Sequence, residues 1–182
     1  MVIAETTEEH IVGQTDFIFQ ELSIPFFYKL SFQINLSSHN SRRISQKILH
    51  IANDASYDLC GARWAQIWIQ PGSKLNLRHA FQCLDTNQSD DHIYTDNANL
   101  SIGDWHLIEY LQLPYQNSTI GELIIRINGE IVHKIANQNP KHYDDMTVYF
   151  GGRQASNEFD DNSSAKIKNF KISRFLQGNF CI

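Results

Sequence analysis

The most constraining feature of this sequence is a regular alternation of apolar and polar residues over 26–37, FFYKLSFQINLS. One face of an extended chain would carry the apolar side chains of Phe26, Tyr28, Leu30, Phe32, Ile34 and Leu36. The opposite face would carry Lys29, Ser31, Gln33 and Asn35, together with Phe27. Because successive side chains of a strand point to opposite sides, this segment predicts a long strand with one face in a hydrophobic core.

Shorter runs of the same kind occur at 17–22, 47–52, 64–69, 75–80, 105–113, 122–128, 130–136, 146–150 and 165–173. The pair Asn128–Gly129 separates two of them and favours a tight antiparallel hairpin, since both residues tolerate positive φ angles. Pro71–Gly72 predicts a second turn, between 64–69 and 75–77. No segment has the spacing of an amphipathic helix of about ten residues or more. The sequence therefore predicts an all-β protein.

Strands with one apolar face need a second layer to cover that face. The chain has 182 residues, of which 42% are hydrophobic, and this is enough for one sizeable core. Half-buried antiparallel strands with polar outer faces indicate two packed sheets, a β-sandwich. We expect a single domain over 15–182, preceded by a loose acidic tail over 1–14.

The charge of the chain limits its partners. Twenty acidic and fifteen basic residues give a formal net charge of −5, which argues against a nucleic-acid partner. No run approaches the 18 or so apolar residues of a membrane span, which argues against membrane insertion. The first ten residues are acidic and lack the pattern of a secretory signal.

The chain contains five Asn-x-Ser/Thr acceptor sites, at Asn35, Asn87, Asn99, Asn117 and Asn162. Its composition alone would give about two such sites by chance. The excess favours an extracellular or cell-surface protein, with a cytoplasmic protein as the alternative.

Several runs, in their order along the chain, resemble a known family. They are KILHI at 47–51, CGAR at 60–63, AQIWIQPGSKLNL at 65–77, GDW at 103–105, IEYLQ at 108–112, IRING at 125–129, NQNP at 137–140, VYFG at 148–151 and AKIKNF at 165–170. Together they resemble a laminin-G-like domain of the concanavalin A-like lectin and glucanase superfamily, over 16–175. The resemblance implies a jelly-roll sandwich of two antiparallel sheets. It also implies an extracellular domain that binds carbohydrate or protein, in some members with calcium.

Acidic loops could supply the calcium ligands. Asp90 and Asp91, and likewise Asp160 and Asp161, place hard oxygen donors close together in the sequence. Neither pair has the fixed spacing of a known calcium loop, so the alternative is two solvated acidic loops. Calcium is the only cofactor that we expect.

A glycosidase of this fold would need two carboxylates facing one another across the scissile bond. No predicted strand contains such a pair, because Glu109 is the only acid inside its strand and has none at 107 or 111. Neither a phosphate-binding loop nor a zinc pattern is present. We therefore expect a protein without catalytic activity.

The strand predicted at 64–69 offers a candidate sugar-binding surface. If its aliphatic residues face the core, Trp64, Gln66 and Trp68 share the exposed face. Asn76 and Arg78 on the next strand would lie beside them, across the Pro71–Gly72 turn. Indole rings can stack on the apolar face of a sugar, and amides and guanidinium groups can bind its hydroxyls. The alternative is that Trp68, alone or together with Trp64, packs inward, with a register break at Ala65.

These observations predict a noncatalytic, lectin-like carbohydrate-binding module whose partner is a glycan or glycoprotein. The first alternative is a protein-binding adhesion or structural domain of the same fold, with a larger exposed apolar patch that includes Phe27. A glycan-active enzyme is the third reading. The sequence leaves open whether the protein forms a homo-oligomer.

The three cysteines generate the first testable prediction. They lack metal-site spacing, and Cys60 and Cys83 lie at the edges of adjacent strand regions. We predict a Cys60–Cys83 disulfide, with Cys181 free or paired between chains, and the alternative is three free thiols. Closing a loop of this length would stabilise the protein by roughly 3 kcal/mol. Thiol counting on the denatured, unreduced protein should then find one free thiol in a chain with an unpaired Cys181. Three free thiols would contradict the bridge and weaken the case for secretion.

Overall fold

A computed structural model describes residues 1–12, 17–37, 46–53, 63–70, 74–80, 91–114, 120–137, 140–151 and 165–175. These ranges contain thirteen strands and no helix. The strands are β1 (Val2–Thr6), β2 (His10–Ile11), β3 (Phe17–Ile24), β4 (Tyr28–Leu36), β5 (Gln46–Ala52), β6 (Arg63–Gln70), β7 (Lys74–Ala80), β8 (Asp91–Asn99), β9 (Trp105–Pro114), β10 (Gly121–Ile127), β11 (Glu130–Asn137), β12 (Tyr143–Phe150) and β13 (Ala165–Arg174).

The strands form two antiparallel sheets. The seven-stranded sheet has the order β1-β13-β4-β9-β10-β11, with β2 also beside β13. The six-stranded sheet has the order β3-β12-β5-β6-β7-β8. Six of the eleven described strand pairings join strands that are not consecutive in the chain, because the chain crosses repeatedly between the two sheets. The predicted all-β jelly-roll sandwich is confirmed.

The apolar face predicted at 26–37 lies in the core, with one correction. Tyr28, Leu30, Phe32, Ile34 and Leu36 are at most 4% exposed. Phe26 was expected beside them, but it is 50% exposed. The physical reason is that β4 begins only at Tyr28, so the alternation does not yet hold two residues earlier. Phe27, which the alternative protein-binding interpretation includes in an exposed apolar patch, is half-buried.

Aromatic rings join the two sheets inside the core. Phe170 of β13 lies 5.4 Å from Phe150 of β12 and 5.8 Å from Phe19 of β3, measured between ring centroids. Tyr110 of β9 is also buried, and burial raises the pKa of its phenol well above the ordinary value. The phenol is therefore neutral, which is the form that a core accommodates.

The expectation of a loose acidic tail over 1–14 needs correction, because the described part of this segment contains two paired strands. Strands β1 and β2 both pair with β13. Two of the acidic side chains meet lysines there: Glu5 lies 3.2 Å from Lys171, and Glu9 lies 2.7 Å from Lys166. Backbone pairing with β13 therefore orders a segment whose own composition favoured a tail.

The polar stretch over 85–99 shows no apolar alternation, which predicts a loop, and this prediction is wrong for residues 91–99. They form β8, which pairs with β7 from Lys74 to Ala80. Few of these residues are strongly apolar, so the pattern gave no strand signal. β8 is the last strand in the order of the six-stranded sheet, and its backbone pairing with β7 is a contact that the local pattern of apolar residues could not show.

The Asn128–Gly129 turn is confirmed, with φ angles of 52° and 87°. The amide N–H of Asn128 donates to the carbonyl of Leu107 over 2.8 Å, and Oδ1 of Asn128 accepts from the Leu107 N–H over 2.9 Å. Nδ2 of Asn128 also lies 3.2 Å from Nδ1 of His106. Asn128 therefore supplies both the turn conformation and a bridge to β9.

Ser23, His142 and Asp144 form a cluster where β3 meets β12. Nε2 of His142 lies 2.9 Å from Oγ of Ser23 and 2.9 Å from Oδ1 of Asp144. Both oxygens contact the same ring nitrogen, whereas a catalytic triad uses the two nitrogens separately. The contacts with His142 and then Ser23 lower the pKa of Asp144. The cluster is therefore a link between two strands.

Substitution of Asn128 should separate conformation from hydrogen bonding. Asn128→Gly keeps the positive φ angle but loses the side-chain bonds to β9. Asn128→Ala loses both, so we expect it to lower the free energy of unfolding by about 1–2 kcal/mol more than Asn128→Gly does. Urea denaturation of the two variants and the parent measures this. Equal stabilities of the two variants would contradict a role for backbone conformation.

The Asp144 contacts should make stability depend on pH. A carboxyl whose pKa is lowered by folding stabilises the protein above its unfolded pKa, and the effect disappears as the pH falls through the folded value. Asp144→Asn should therefore lower the melting temperature at neutral pH, and the gap should close below the ordinary value of 3.8. Asp145→Asn, at the exposed neighbouring position, is the control. A gap that persists unchanged in acid would contradict the assignment.

Candidate functional site

The candidate site lies on the outer face of the six-stranded sheet, the side opposite the core. Ala65, Ile67 and Ile69 of β6 are buried in the core, at 1% exposure or less. The residues between them, Gln66 and Trp68, therefore point to the outer face. The alternation predicted for this strand is confirmed from Ala65 to Ile69, and the alternative in which Trp68 packs inward is wrong.

Trp68 is the centre of a row that crosses three strands. The backbone register aligns Trp68 with Lys47 of β5 on one side and with Asn76 of β7 on the other. The indole is half-buried, and Nζ of Lys47 lies 4.7 Å from the centroid of its ring. This distance is that of a cation–π contact. The row therefore combines an aromatic surface with a positive charge and an amide.

A second row runs parallel to the first. Tyr149 of β12 aligns with His50 of β5, His50 aligns with Gln66, and Gln66 aligns with the backbone of Arg78. The rings of His50 and Tyr149 have centroids 6.1 Å apart. The two rows lie next to each other, because Gln66 and Trp68 are two residues apart on one strand.

Gln66 connects the two rows. The Nε1–H of Trp68 donates to Oε1 of Gln66 over 3.2 Å, and Nε2 of Gln66 lies 3.3 Å from Nε2 of His50. An amide nitrogen can only donate, so the second contact is a hydrogen bond when Nε2 of His50 carries no proton. The indole of Trp68 is therefore held in a fixed orientation by the amide beside it.

One feature of the predicted surface needs correction. The sequence predicted Gln66 and Asn76 to be exposed, but they are 2% and 3% exposed. Alternation gives the side of the sheet to which a residue points, and it does not give the depth of cover on that side. Among the described members Gln66, Trp68 and Asn76, Trp68 is the most accessible, so a ligand can reach it more directly than the two amides.

Two residues of this surface were missed by sequence reasoning. Lys47 and His50 are three positions apart, yet they join neighbouring rows on one face. The reason is a register shift between Lys47 and Leu49, which leaves Ile48 as an extra residue turned into the core. A bulge of this kind changes the alternation and leaves no clear trace in the run KILHIA.

The other predicted residues fall wholly or partly outside the described part of the chain. Trp64 and Arg78 lie in β6 and β7, but their side chains are not described. Asp91 opens β8, and its side chain is likewise not described. The positions outside the described residues are Cys60, Cys83, Asp90, Asp160 and Asp161. The disulfide and the calcium ligands therefore stay predictions.

The described ranges contain neither a metal-binding cluster nor a membrane-spanning helix. Within them, no three His, Cys, Asp or Glu side chains stand together in a way that could hold a metal ion. The same ranges contain no helix that is long and apolar enough to cross a bilayer.

Comparison with known proteins identifies the fold of this chain but does not assign it to a family. No family model matches the sequence, and no curated protein matches it. Among solved structures, an endo-β-1,4-glucuronan lyase from the fungus Trichoderma reesei superposes with a TM-score of 0.57 at 15% identity. The match covers 94% of this chain and 79% of the lyase.

Two other solved structures superpose about equally well. The binding domain of botulinum neurotoxin serotype D gives a TM-score of 0.59 at 16% identity, over 96% of this chain and 38% of that one. This chain thus spans well under half of the toxin domain. A SAP-like pentraxin from Limulus polyphemus gives 0.55 at 11% identity, over 92% of this chain and 76% of that one. The chain has the jelly-roll fold of these proteins.

Proposed function

We propose that this chain is a noncatalytic carbohydrate-binding domain and that the outer face of the six-stranded sheet binds the glycan. The observation that carries the proposal is the half-exposed indole of Trp68, held by Gln66 and flanked by Asn76. A sugar ring has an apolar C–H face and a rim of hydroxyls. An oriented indole with amides at its edge matches both features.

The fixed orientation of Trp68 favours binding for an energetic reason. Ordering a side chain on ligand binding costs conformational entropy, and an indole already held by a hydrogen bond loses less of it. In this proposal Trp68 contacts the sugar directly. Gln66 positions the indole, which agrees with its almost complete burial.

Similar folds give further support. One neighbour is named as a lyase of glucuronan, a polysaccharide. Another, a botulinum neurotoxin DC binding domain with a TM-score of 0.54 at 12% identity, is described in complex with SialylT. These names belong to those proteins, and at such identities only the fold is shared. They indicate that the sandwich is suited to saccharide ligands.

Binding is preferred to catalysis for two reasons. Strands β5, β6 and β7 contain no Asp or Glu, so they cannot supply the two carboxylates of a glycosidase. His50 and Tyr149 are residue types that can move protons, but His50 is only 1% exposed. A general base must reach within hydrogen-bonding distance of the proton that it removes.

The proposal includes an extracellular location and a calcium-dependent loop. The excess of Asn-x-Ser/Thr acceptor sites supports an extracellular location. The acidic pairs Asp90–Asp91 and Asp160–Asp161 support a calcium-binding site. Screening a glycan array with calcium and then with a chelator tests whether the ion is needed. It also identifies the glycan for the experiment below.

Trp68 can be tested against a matched control. Trp105 of β9 is also half-buried and also lies under a lysine, with Nζ of Lys168 3.9 Å from its ring centroid, but it belongs to the other sheet. We expect Trp68→Ala to weaken glycan binding about tenfold or more, since it removes an aromatic stacking surface. Trp105→Ala should lower the melting temperature by about as much as Trp68→Ala does, but it should leave the glycan affinity unchanged. Calorimetric titration and thermal unfolding measure the two quantities.

Three outcomes would contradict the proposal. An array without any bound glycan would reject it, and so would an equal loss of affinity in the two variants. The third is the appearance of new reducing ends or unsaturated sugars when the protein is incubated with the bound glycan. That result would reject the noncatalytic reading in favour of an enzyme.

A further inference from the structure

The contacts that join His50, Gln66 and Trp68 allow one arrangement of donors and acceptors. An indole N–H donates and never accepts, so the atom of Gln66 that lies 3.2 Å from Nε1 of Trp68 is the amide oxygen. The amide nitrogen of Gln66 then faces Nε2 of His50, over 3.3 Å. This nitrogen also donates only, so Nε2 of His50 accepts and carries no proton. The orientation of the indole is thus linked to the protonation state of His50.

A protonated His50 does not fit this arrangement. An imidazolium carries N–H donors at both ring nitrogens, so its Nε2–H would face the N–H of the Gln66 amide. A half-turn of the amide would present its oxygen to His50, but it would also present its nitrogen to the indole N–H of Trp68. In either orientation two donors face each other. Protonation therefore removes one of the two hydrogen bonds in the chain.

Burial decides which of the two hydrogen bonds is lost. His50 is 1% exposed and Gln66 is 2% exposed, so water has little access to the contact between them. An unsatisfied donor in such a place is costly, above all when it is charged. Trp68 is half-buried, and water can reach its side of the chain more readily. We therefore expect the amide of Gln66 to turn toward a protonated His50 and to release the indole.

Several ionisable groups belong to the strands near His50, and the backbone register places each of them. The residues aligned with His50 are Tyr149 on β12 and Gln66 on β6. Lys47 lies in the neighbouring row, and the backbone of Arg78 aligns with Gln66. The described strands of this sheet carry acids at other positions of the register, namely Glu21, Asp91, Asp96, Asp144 and Asp145. A protonated His50 thus has no aligned carboxylate on these strands, whereas the amide oxygen of Gln66 is within its reach.

We propose that His50 is a positioning residue of the glycan site and that its protonation weakens glycan binding in acid. The inference rests on the proposed function, because it concerns the indole on which the sugar stacks. When His50 is neutral, Gln66 holds the indole of Trp68 in one orientation before the sugar arrives. When His50 is protonated, the indole must be ordered during binding, which costs conformational entropy. The affinity is therefore highest with a neutral ring and falls as the pH decreases through its titration.

Nuclear magnetic resonance of the protein alone tests the hydrogen-bonded chain. With isotope-labelled histidine and tryptophan, Nδ1 of His50 should be protonated and Nε2 unprotonated at about pH 8. As the pH is lowered, the Nε1–H resonance of Trp68 should shift with the same midpoint as the ring nitrogens of His50. A ring protonated at Nε2 at about pH 8 would overturn the inference. A Trp68 resonance that does not follow His50, or a His50 that stays neutral down to about pH 5, would overturn it as well.

The effect on glycan affinity is measured by calorimetric titration at about pH 8 and about pH 5, with the glycan that gives the strongest array signal. We expect binding to the parent to weaken about three- to tenfold in acid, as the loss of one hydrogen bond would cause. His50→Gln offers Gln66 an amide oxygen at both pH values, so its affinity should not change with pH. His106→Gln is the matched control, because His106 is 8% exposed and its Nδ1 lies 3.2 Å from Nδ2 of Asn128 in the other sheet. It should keep the pH dependence of the parent.

A second variant keeps the test decisive if His50→Gln does not fold, which thermal unfolding at both pH values shows. The carboxylate of Gln66→Glu can accept from the indole of Trp68 and from a protonated His50 at the same time. Acid should therefore not weaken glycan binding in this variant. A loss of affinity in acid as large as that of the parent would overturn the inference.

The outcomes separate the inference from the proposed function. A parent that binds the glycan equally at the two pH values would overturn the inference and leave the carbohydrate-binding function standing. The same holds if His50→Gln retains the pH dependence of the parent. An array without any bound glycan would reject the proposed function, and the effect on affinity with it.

Discussion

The contact of Phe170 with Phe150 and Phe19 joins the two sheets, and much of the structure depends on it. Phe170 reaches the core through a bulge. Ala165 and Ile167 face inward, and so do Phe170 and Ile172, which regular alternation cannot produce. The register of β13 against β4 shifts between Lys168 and Lys171, where Asn169 takes a φ of 51°. One extra residue therefore keeps both halves of β13 in the core.

Bulges also decide the chemistry of the outer faces. At β13, Nδ2 of Asn169 donates to Oε1 of Gln33 over 2.9 Å, so the residue that makes the bulge is held by the neighbouring strand. At β5, the shift beside Ile48 brings Lys47 and His50 to the same face. The residues that gather around Trp68 are thus a consequence of how the inner residues fill the core.

The predictable parts of the fold are those in which each residue follows from its neighbours in the chain. Strand β4 buries five alternating side chains, and the Asn128–Gly129 turn has the backbone angles that its residue types favour. Strands β1, β2 and β8 escaped prediction, because their sequences lack a clear apolar alternation and their pairing with β13 or β7 is not visible in the local pattern. The local sequence could predict that a segment forms a strand where its apolar residues alternate. It could not predict which distant strand would pair with it.

The candidate site likewise has a part that the local sequence predicts and a part that it does not. Gln66, Trp68 and Asn76 could be grouped from alternation and a short turn. Their burial could not be predicted, since cover depends on parts of the chain remote in sequence. Lys47 and His50 were missed because the bulge changes the side to which they point. A chemically informative pair was therefore hidden by a single inserted residue.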